Sequence, residues 1–492
     1  MGLKSIAAKW LASWEVLQIK KWSEKPFVAQ KKTFSYLIDQ LQHTAFGKDH
    51  SIKPGMSYKE WKARVAIRDY EAFKAYVDRI RDGEVNVLWK GKPKYFCKTS
   101  GTTSGAKFIP MSEEGIKAQV KAARSALLCY IHQSGNSSFT DGKMIFLQGN
   151  PALTHQKGIA IGRLSGIVAH HVPSYLQRNR MPSWETNAID DWEKKVDAIV
   201  DETYQSDMRL VSGIPPWVKM YFERLLAKTG KQSVKEVFPN LSVFAHGGVN
   251  YEPYKATMEK LIGGRIDSIE TYPASEGFIA FQDTQTQQGL LLNLDAGIFY
   301  EFIPLQHVHD DNPVRLSLEE VELDENYAIV LNTSSGLWGY LIGDTVKFVS
   351  RHPFRIIVTG RVKHFISAFG EHVIAEEVEK AMSKTMKKLG FDVLEFHVAP
   401  QVEPAEGLPF HEWFIEHDQP ELPVQLEEEL DAMMRSLNSY YDDLINGKVL
   451  RPLKVRALKP GTFNDFMRAA GKLGGQNKLP RLSNDRNIAD LL

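Results

Sequence analysis

Apolar residues recur with helical spacing at the start of the chain. Phe34, Leu37, Ile38 and Leu41 fall at i, i+3, i+4 and i+7, which predicts an amphipathic helix with Gly47 as its stop. Trp10, Trp14 and Leu17 repeat the pattern earlier, so the first fifty residues read as a helical layer with those aromatics in its core. Further on, Ser112 followed by Glu113 and Glu114 marks a helix N-terminus. Short apolar runs at Lys143–Leu147 and Leu241–Ala245 read as strands, and Asp191–Val200 and Val218–Ala227 as helices. Such alternation predicts an α/β domain with mostly parallel sheets. From Gly289 to Val349 the texture turns β-rich. Beyond Gly360 a compact α+β pattern follows: a helix over Ala375–Leu389, strands at Leu394–Val398 and Glu412–Glu416, and an acidic helix over Val424–Leu437.

The expected architecture is therefore α/β: a large N-terminal domain of mixed and parallel sheets with a β-rich portion, over 1–359, and a smaller, mobile α+β domain over 360–492. No Pro/Gly/Ser linker separates them, which predicts a short hinge near 360–363. A chain of 492 residues exceeds one hydrophobic core, in agreement with two domains.

Composition narrows the partners. With 61 basic and 60 acidic residues the net charge is +1, so no basic field for nucleic acid is present, nor a Lys/Arg run to hold an anionic membrane. No apolar run approaches the roughly 20 residues of a membrane span. Lysines interrupt the N-terminus before an apolar signal core forms. Cys97 and Cys129 are the only cysteines, a usage that fits a reducing cytoplasm and leaves too few thiolates for a zinc site. A small-molecule substrate, with no nucleic acid and no membrane, is the expectation.

The segment Thr99-Ser100-Gly101-Thr102-Thr103-Ser104-Gly105-Ala106-Lys107 follows a strand-like run, Tyr95–Lys98. Its glycines allow successive N–H groups to point inward as an anion nest, its hydroxyls add donors, and Lys107 adds a mobile positive charge. A polyphosphate fits such a loop; a flexible Ser/Thr/Gly loop is the other reading. A Walker loop is excluded, because three residues separate Gly101 from Gly105 and Ala106 precedes the lysine. His170-His171 invites a metal reading, but adjacent strand side chains would point to opposite faces.

Tyr272-Pro273-Ala274-Ser275-Glu276-Gly277, then Tyr340-Leu341-Ile342-Gly343-Asp344, then Gly360-Arg361-Val362-Lys363 follow in order. Thr44–Lys48, Gly213-Ile214-Pro215-Pro216-Trp217 and Gln476–Arg481 complete the series. The chain resembles the adenylate-forming superfamily and, within it, the auxin-responsive-promoter family of acyl acid amido synthetases, over nearly its whole length. That resemblance implies an ATP-dependent ligase that adenylates a small carboxylic acid and passes the acyl group to an amine, most naturally an amino acid.

It also implies roles. Ser100, Gly101, Thr102, Thr103, Ser104, Gly105 and Lys107 would hold the β- and γ-phosphates of ATP. Glu276 would bind Mg2+, with Tyr272 and Ser275 at the nucleotide and Tyr272 stacked on adenine. Asp344, in a tight turn after Gly343, would accept from the ribose hydroxyls, and Leu341 departs from the arginine usual beside it. Arg361 would orient ribose or phosphate, with Lys363 at the hinge; a solvated basic turn is the other reading of that pair. Gly247 and Gly248 would let backbone approach the ligand. His246, with Ile214 and Trp217, belongs either to the acyl pocket or, for the histidine, to the core. Lys478 would reach the α-phosphate from the C-terminal domain, with Lys472 and Arg481 as competitors. Two further functions stand beside this one: an acyl-CoA ligase using a thiol acceptor, and a nucleotide-binding regulator without turnover.

Overall fold

The computed structural model describes residues 3–99, 107–172, 177–249, 251–308, 310–362, 365–366, 373–402, 404–446, 449–473 and 478–492. Ser100, Gly101, Thr102, Thr103, Ser104, Gly105 and Lys363 lie outside that set, as does the 474–477 segment before Lys478.

Three helices open the chain: α1 (Leu3–Ser23), α2 (Pro26–Leu41) and α3 (Ala45–Asp49). Pro26 starts α2 at the position where its missing N–H costs nothing, and Phe34, Leu37, Ile38 and Leu41 are buried as their spacing predicts. Gly47 does not stop this helix. It sits inside α3, where the Thr44 hydroxyl accepts from its N–H at 3.0 Å. A Cβ at Gly47 would lie 2.0 Å from the Leu41 carbonyl oxygen, so the glycine permits a close approach of α3 to the end of α2. Gly47→Ala is expected to destabilise the protein by about 1–3 kcal/mol, because the obstruction is backbone and cannot rotate away. An unchanged thermal midpoint would contradict that close approach.

The aromatic stripe of α1 is the second correction. Trp10, Trp14 and Leu17 are 82%, 50% and 58% exposed. The buried side of α1 is instead Ser5, Ala12, Glu15 and Ile19, and α1 packs along helix Glu113–Ser134. Small residues allow the close approach, and the buried Glu15 carboxylate accepts from Ser125 Oγ at 2.6 Å with Arg124 at 3.6 Å. Helix Glu113–Ser134 begins as expected: Ser112 Oγ accepts from Gly115 N at 2.9 Å.

The strands are β1 (Tyr95–Thr99), β2 (Lys107–Met111), β3 (Lys143–Phe146), β4 (Thr154–Gln156), β5 (Ile159–Gly162), β6 (Arg180–Met181), β7 (Met208–Ser212), β8 (Val243–Gly247), β9 (Asp267–Ala274), β10 (Gly277–Phe281), β11 (Leu290–Leu292), β12 (Ile298–Pro304), β13 (Asn326–Thr333), β14 (Tyr340–Arg351), β15 (Phe354–Arg361), β16 (Phe365–Ile366), β17 (Val373–Ile374), β18 (Glu395–Gln401), β19 (Phe410–Glu416) and β20 (Lys454–Leu458). Eleven form one mixed sheet in the order β12-β13-β14-β15-β11-β10-β9-β8-β7-β3-β6.

Connection chemistry explains the mixture. Helices Pro215–Thr229 and Glu252–Ile262 carry the chain from β7 to β8 and from β8 to β9, so β7, β8 and β9 are parallel. A two-residue loop, Ser275-Glu276, joins β9 to β10, which forces an antiparallel pair with Ala274 opposite Gly277. β1 and β2 belong to a second sheet of order β2-β1-β5-β4.

The chain divides into two compact units. The first comprises Met1–Tyr251, Met258–Ile342 and Lys347–Ile357. The second comprises Glu252–Thr257, Gly343–Val346 and Val358–Leu492. In the second, the sheet β18-β19-β20 and helices Ala375–Leu389 and Leu426–Leu437 enclose a core that includes Val378, Met382, Phe396, Trp413, Leu430 and Met434. The architecture is α/β, with a large N-terminal and a smaller C-terminal part.

Candidate active site

Parallel neighbours end on the same edge of a sheet, and in open α/β sheets the carboxyl edge is where ligands sit. Here that edge gathers Ile214 after β7, His246, Gly247 and Gly248 at the end of β8, and Tyr272, Ser275 and Glu276 at the end of β9. Ser212 pairs with Ala245 and Gly213 N donates to the Ala245 carbonyl at 3.1 Å, which brings Gly213, the residue before Ile214, level with His246. Gly247 pairs with Thr271, one residue before Tyr272.

The individual residues differ in what they offer. His246 is 4% exposed, its ring 4.6 Å from that of Tyr251 and 5.0 Å from that of Phe244. Burial drives its pKa down to about 3, so the imidazole is neutral. Its Nδ1 finds no hydrogen-bond partner among the described residues. Trp217 is buried with its ring 4.6 Å from that of Trp192, between two packed helices. Gly247 is required by its neighbour strand: a Cβ there would lie 2.3 Å from the Thr271 carbonyl oxygen. Gly248 has φ +86°, a left-handed backbone.

Ser275 and Glu276 form the tip of the β9–β10 hairpin. Tyr340 Oη donates to Glu276 Oε1 at 3.5 Å. Burial, then the Glu276 charge, push the Tyr340 phenol well above its usual range, so it stays protonated as a donor. The same two causes raise the buried Cys97 thiol, leaving it un-ionised. Thr99 and Lys107, which flank the candidate phosphate loop, are register partners on β1 and β2. Lys107 Nζ lies 5.6 Å from the centre of the Tyr70 ring, whose hydroxyl accepts from Phe108 N at 2.9 Å. Glu276 offers a hard carboxylate oxygen, the donor type that Mg2+ takes alongside phosphates. No group of three or more His, Cys, Asp or Glu side chains among the described residues is placed to hold a metal by itself.

A second cluster lies within the second unit. Gly343-Asp344 is inside the long strand β14 rather than in a tight turn, although Gly343 has φ +89°. Strand pairing brings Arg361 across: Arg361 Nε donates to Asp344 Oδ1 at 2.9 Å, and Val362 N to the Gly343 carbonyl at 2.8 Å. Lys478 joins the two. The residue is exposed; desolvation of its ammonium, then the like charge of Arg361, pull its pKa down to about 8, against the opposing charge of Asp344.

The competing cations are placed elsewhere. Lys472 is exposed, three residues beyond the end of helix Thr462–Ala469. Arg481 is half-buried, in ion pairs with Glu395 and with Glu379 at 3.4 Å, and donates to Tyr254 Oη at 2.8 Å. Its carbonyl accepts from Val398 N at 2.9 Å, and the Pro480 carbonyl meets His397 Nδ1 at 2.8 Å. The chain just after Lys478 is thereby stitched to β18.

The histidine pair is on no strand. His170 caps helix Leu164–Ala169 and meets the Pro151 carbonyl at 2.9 Å, while His171 meets Tyr95 Oη at 2.9 Å. The two rings thus engage separate partners. Tyr70 and Tyr340 were not singled out from the sequence; only cross-chain contact reveals them, though Tyr340 opens the motif that ends in Asp344.

Three domains of one family match in order: the GH3 family N-terminal domain over residues 16–193, the central domain over 291–361 and the C-terminal domain over 376–487. The chain belongs to the GH3 family. This GH3 protein is 22% identical to indole-3-acetic acid-amido synthetase GH3.4 of Arabidopsis thaliana, over 96% of this chain and 92% of that one. It is 20% identical to jasmonoyl-L-amino acid synthetase JAR4 of Nicotiana attenuata, over 94% and 92%. Its fold is that of the GH3.15 acyl acid amido synthetase, with TM-score 0.80 at 14% identity over 98% of this GH3 protein and 96% of that chain. A 2-hydroxyisobutyryl-CoA ligase in the postadenylation state follows at TM-score 0.62 and 12% identity, over 94% and 90%.

Proposed function

We propose that this GH3 protein is an ATP-dependent acyl acid amido synthetase that joins a small apolar carboxylic acid to the amine of an amino acid. The observation that carries the proposal is the in-order match of all three GH3 domains in a chain that spans nearly the full length of relatives named an indole-3-acetic acid-amido synthetase and a jasmonoyl-L-amino acid synthetase. In the first half-reaction a carboxylate oxygen of the acid attacks the α-phosphorus of ATP, and the bond to the bridging oxygen breaks to release pyrophosphate. In the second, the amine nitrogen attacks the acyl carbon, the bond from that carbon to the phosphate oxygen breaks, AMP leaves and the nitrogen gives up a proton.

The protein's work is positioning and electrostatics. Ser100, Gly101, Thr102, Thr103, Ser104, Gly105 and Lys107 hold the terminal phosphates. Tyr272, Ser275, Gly247 and Gly248 border the nucleotide, Asp344 accepts from the ribose and Arg361 holds Asp344 in place. His246, neutral and buried among aromatic rings, and Ile214 give the acyl side an apolar character; Trp217 supports them from the helix core. Glu276 would hold Mg2+, which when bound neutralises phosphate charge. The C-terminal domain turns about a hinge near 360–363 between the half-reactions. Free, buried Cys97 and Cys129 suit a reducing cytoplasm.

Exchange of labelled pyrophosphate into ATP, run with a panel of aliphatic and aromatic acids, tests the adenylation half. Stimulation by an apolar acid, with amide formed on adding amino acids, is the expected result. A thioester formed with coenzyme A in place of the amide would make the protein an acyl-CoA ligase. No stimulated exchange would favour the non-catalytic regulator.

A further inference from the structure

The exposed face of α1 has no role in the chemistry above. At 3.6 residues per turn Ile6, Trp10, Trp14 and Leu17 fall on one strip of the helix, 54%, 82%, 50% and 58% exposed. Two indoles left in water on adjacent turns are unusual, because large apolar side chains mark contact surfaces when they cluster. Charge on the strip has one sign. Lys9 and Lys20 border it and Lys21 continues it one turn beyond Leu17. The only carboxylate of α1, Glu15, is on the opposite side, 1% exposed and engaged with Ser125.

We infer that this face attaches the protein to an anionic lipid surface. The helix lies in the headgroup plane with Trp10, Trp14, Ile6 and Leu17 dipped toward the acyl boundary, and Lys9, Lys20 and Lys21 against lipid phosphates. Indole suits that boundary, having an apolar body and a polar N–H. From Ile6 to Lys21 the strip runs about 22 Å, long enough to lie along a surface. No helix among the described residues is long and apolar enough to cross a membrane, so the contact is peripheral. Charge decides against the obvious rival, a second copy of the same face: pairing would set lysine-edged strips together with no carboxylate on either. The lysines are scattered singly or in a pair along the sequence, and only the helix collects them on one side.

The test is co-sedimentation of the full chain with vesicles of pure phosphatidylcholine and with vesicles holding about a quarter phosphatidylglycerol. Binding is expected to the anionic vesicles alone, with a blue shift of tryptophan emission and loss of binding at high salt. Lys20→Glu with Lys21→Glu should weaken it by at least about five-fold per lysine. Trp10→Ser with Trp14→Ser should abolish it while leaving the thermal midpoint and pyrophosphate exchange in solution unchanged. Absence of vesicle binding, or binding that ignores both pairs of substitutions, would overturn the inference. So would a wild-type dimer in sedimentation equilibrium that Trp10→Ser with Trp14→Ser dissociates, since the strip would then be a protein interface.

Discussion

Lys478→Ala is expected to lose about a hundred- to a thousand-fold in amide formation, with ATP affinity and thermal stability close to those of the unsubstituted protein. A cation that meets charge developing in the transition state contributes to rate and little to ground-state binding. Lys478 is the late cation placed beside Asp344 and Arg361, whereas Lys472 points into solvent. Lys472→Ala should therefore behave as the unsubstituted protein. The lowered pKa of Lys478 adds a pH test with a definite sign. Its ammonium loses its proton as pH rises through about 8, so Lys478-dependent turnover should fall across that range, below the usual lysine value. Lys478→Arg, which stays charged, should flatten the fall. Equal damage from Lys472→Ala and Lys478→Ala, or turnover that keeps climbing past pH 9, would remove Lys478 from the chemistry.

Glu276→Ala is expected to depress acid-stimulated pyrophosphate exchange by about a hundred-fold or more for every acid tested. The uniform loss follows from placing Glu276 at the phosphates and not in the acyl pocket. Glu276→Gln should lose nearly as much, because it keeps the shape and hydrogen bonding of the side chain and removes the charge a hard cation seeks. Raising Mg2+ should restore part of the exchange in Glu276→Gln. The hairpin turn holding Glu276 is built by backbone pairing of Ala274 with Gly277, so neither substitution should lower the thermal midpoint by much. Exchange at the normal rate in both variants would place the metal elsewhere.

Most elements of the fold are written locally. The helix over Ala375–Leu389 has the bounds its pattern predicts, Ser112 caps its helix, and β3 and β8 lie within a few residues of the apolar runs that mark them. Periodicity, caps and turn residues act through neighbours in the chain, so they are legible there. The order of the motifs, from the Thr99–Lys107 segment to Lys478, is equally legible and points to the family whose three domains match the chain.

Other questions had no local answer. Helical spacing placed Trp10, Trp14 and Leu17 on one side of α1, but which side is buried depends on the fit of Ala12 and Glu15 against a helix about a hundred residues later. Gly47 read as a stop because glycine often ends helices, while its actual reason is the carbonyl of Leu41 only 2.0 Å from where a Cβ would be. Asp344 read as a turn residue, yet the strand it belongs to is defined by partners on either side. Among Lys472, Lys478 and Arg481, spacing offered no means of choice and the resemblance favoured Lys478; in the structure Glu379 and Glu395 engage the arginine, while Lys478 feels the charges of Asp344 and Arg361. The sequence by itself determined the elements, their order and the family. Tertiary structure alone decided which faces are covered and which charges meet, because burial and pairing are set by residues far apart in the chain.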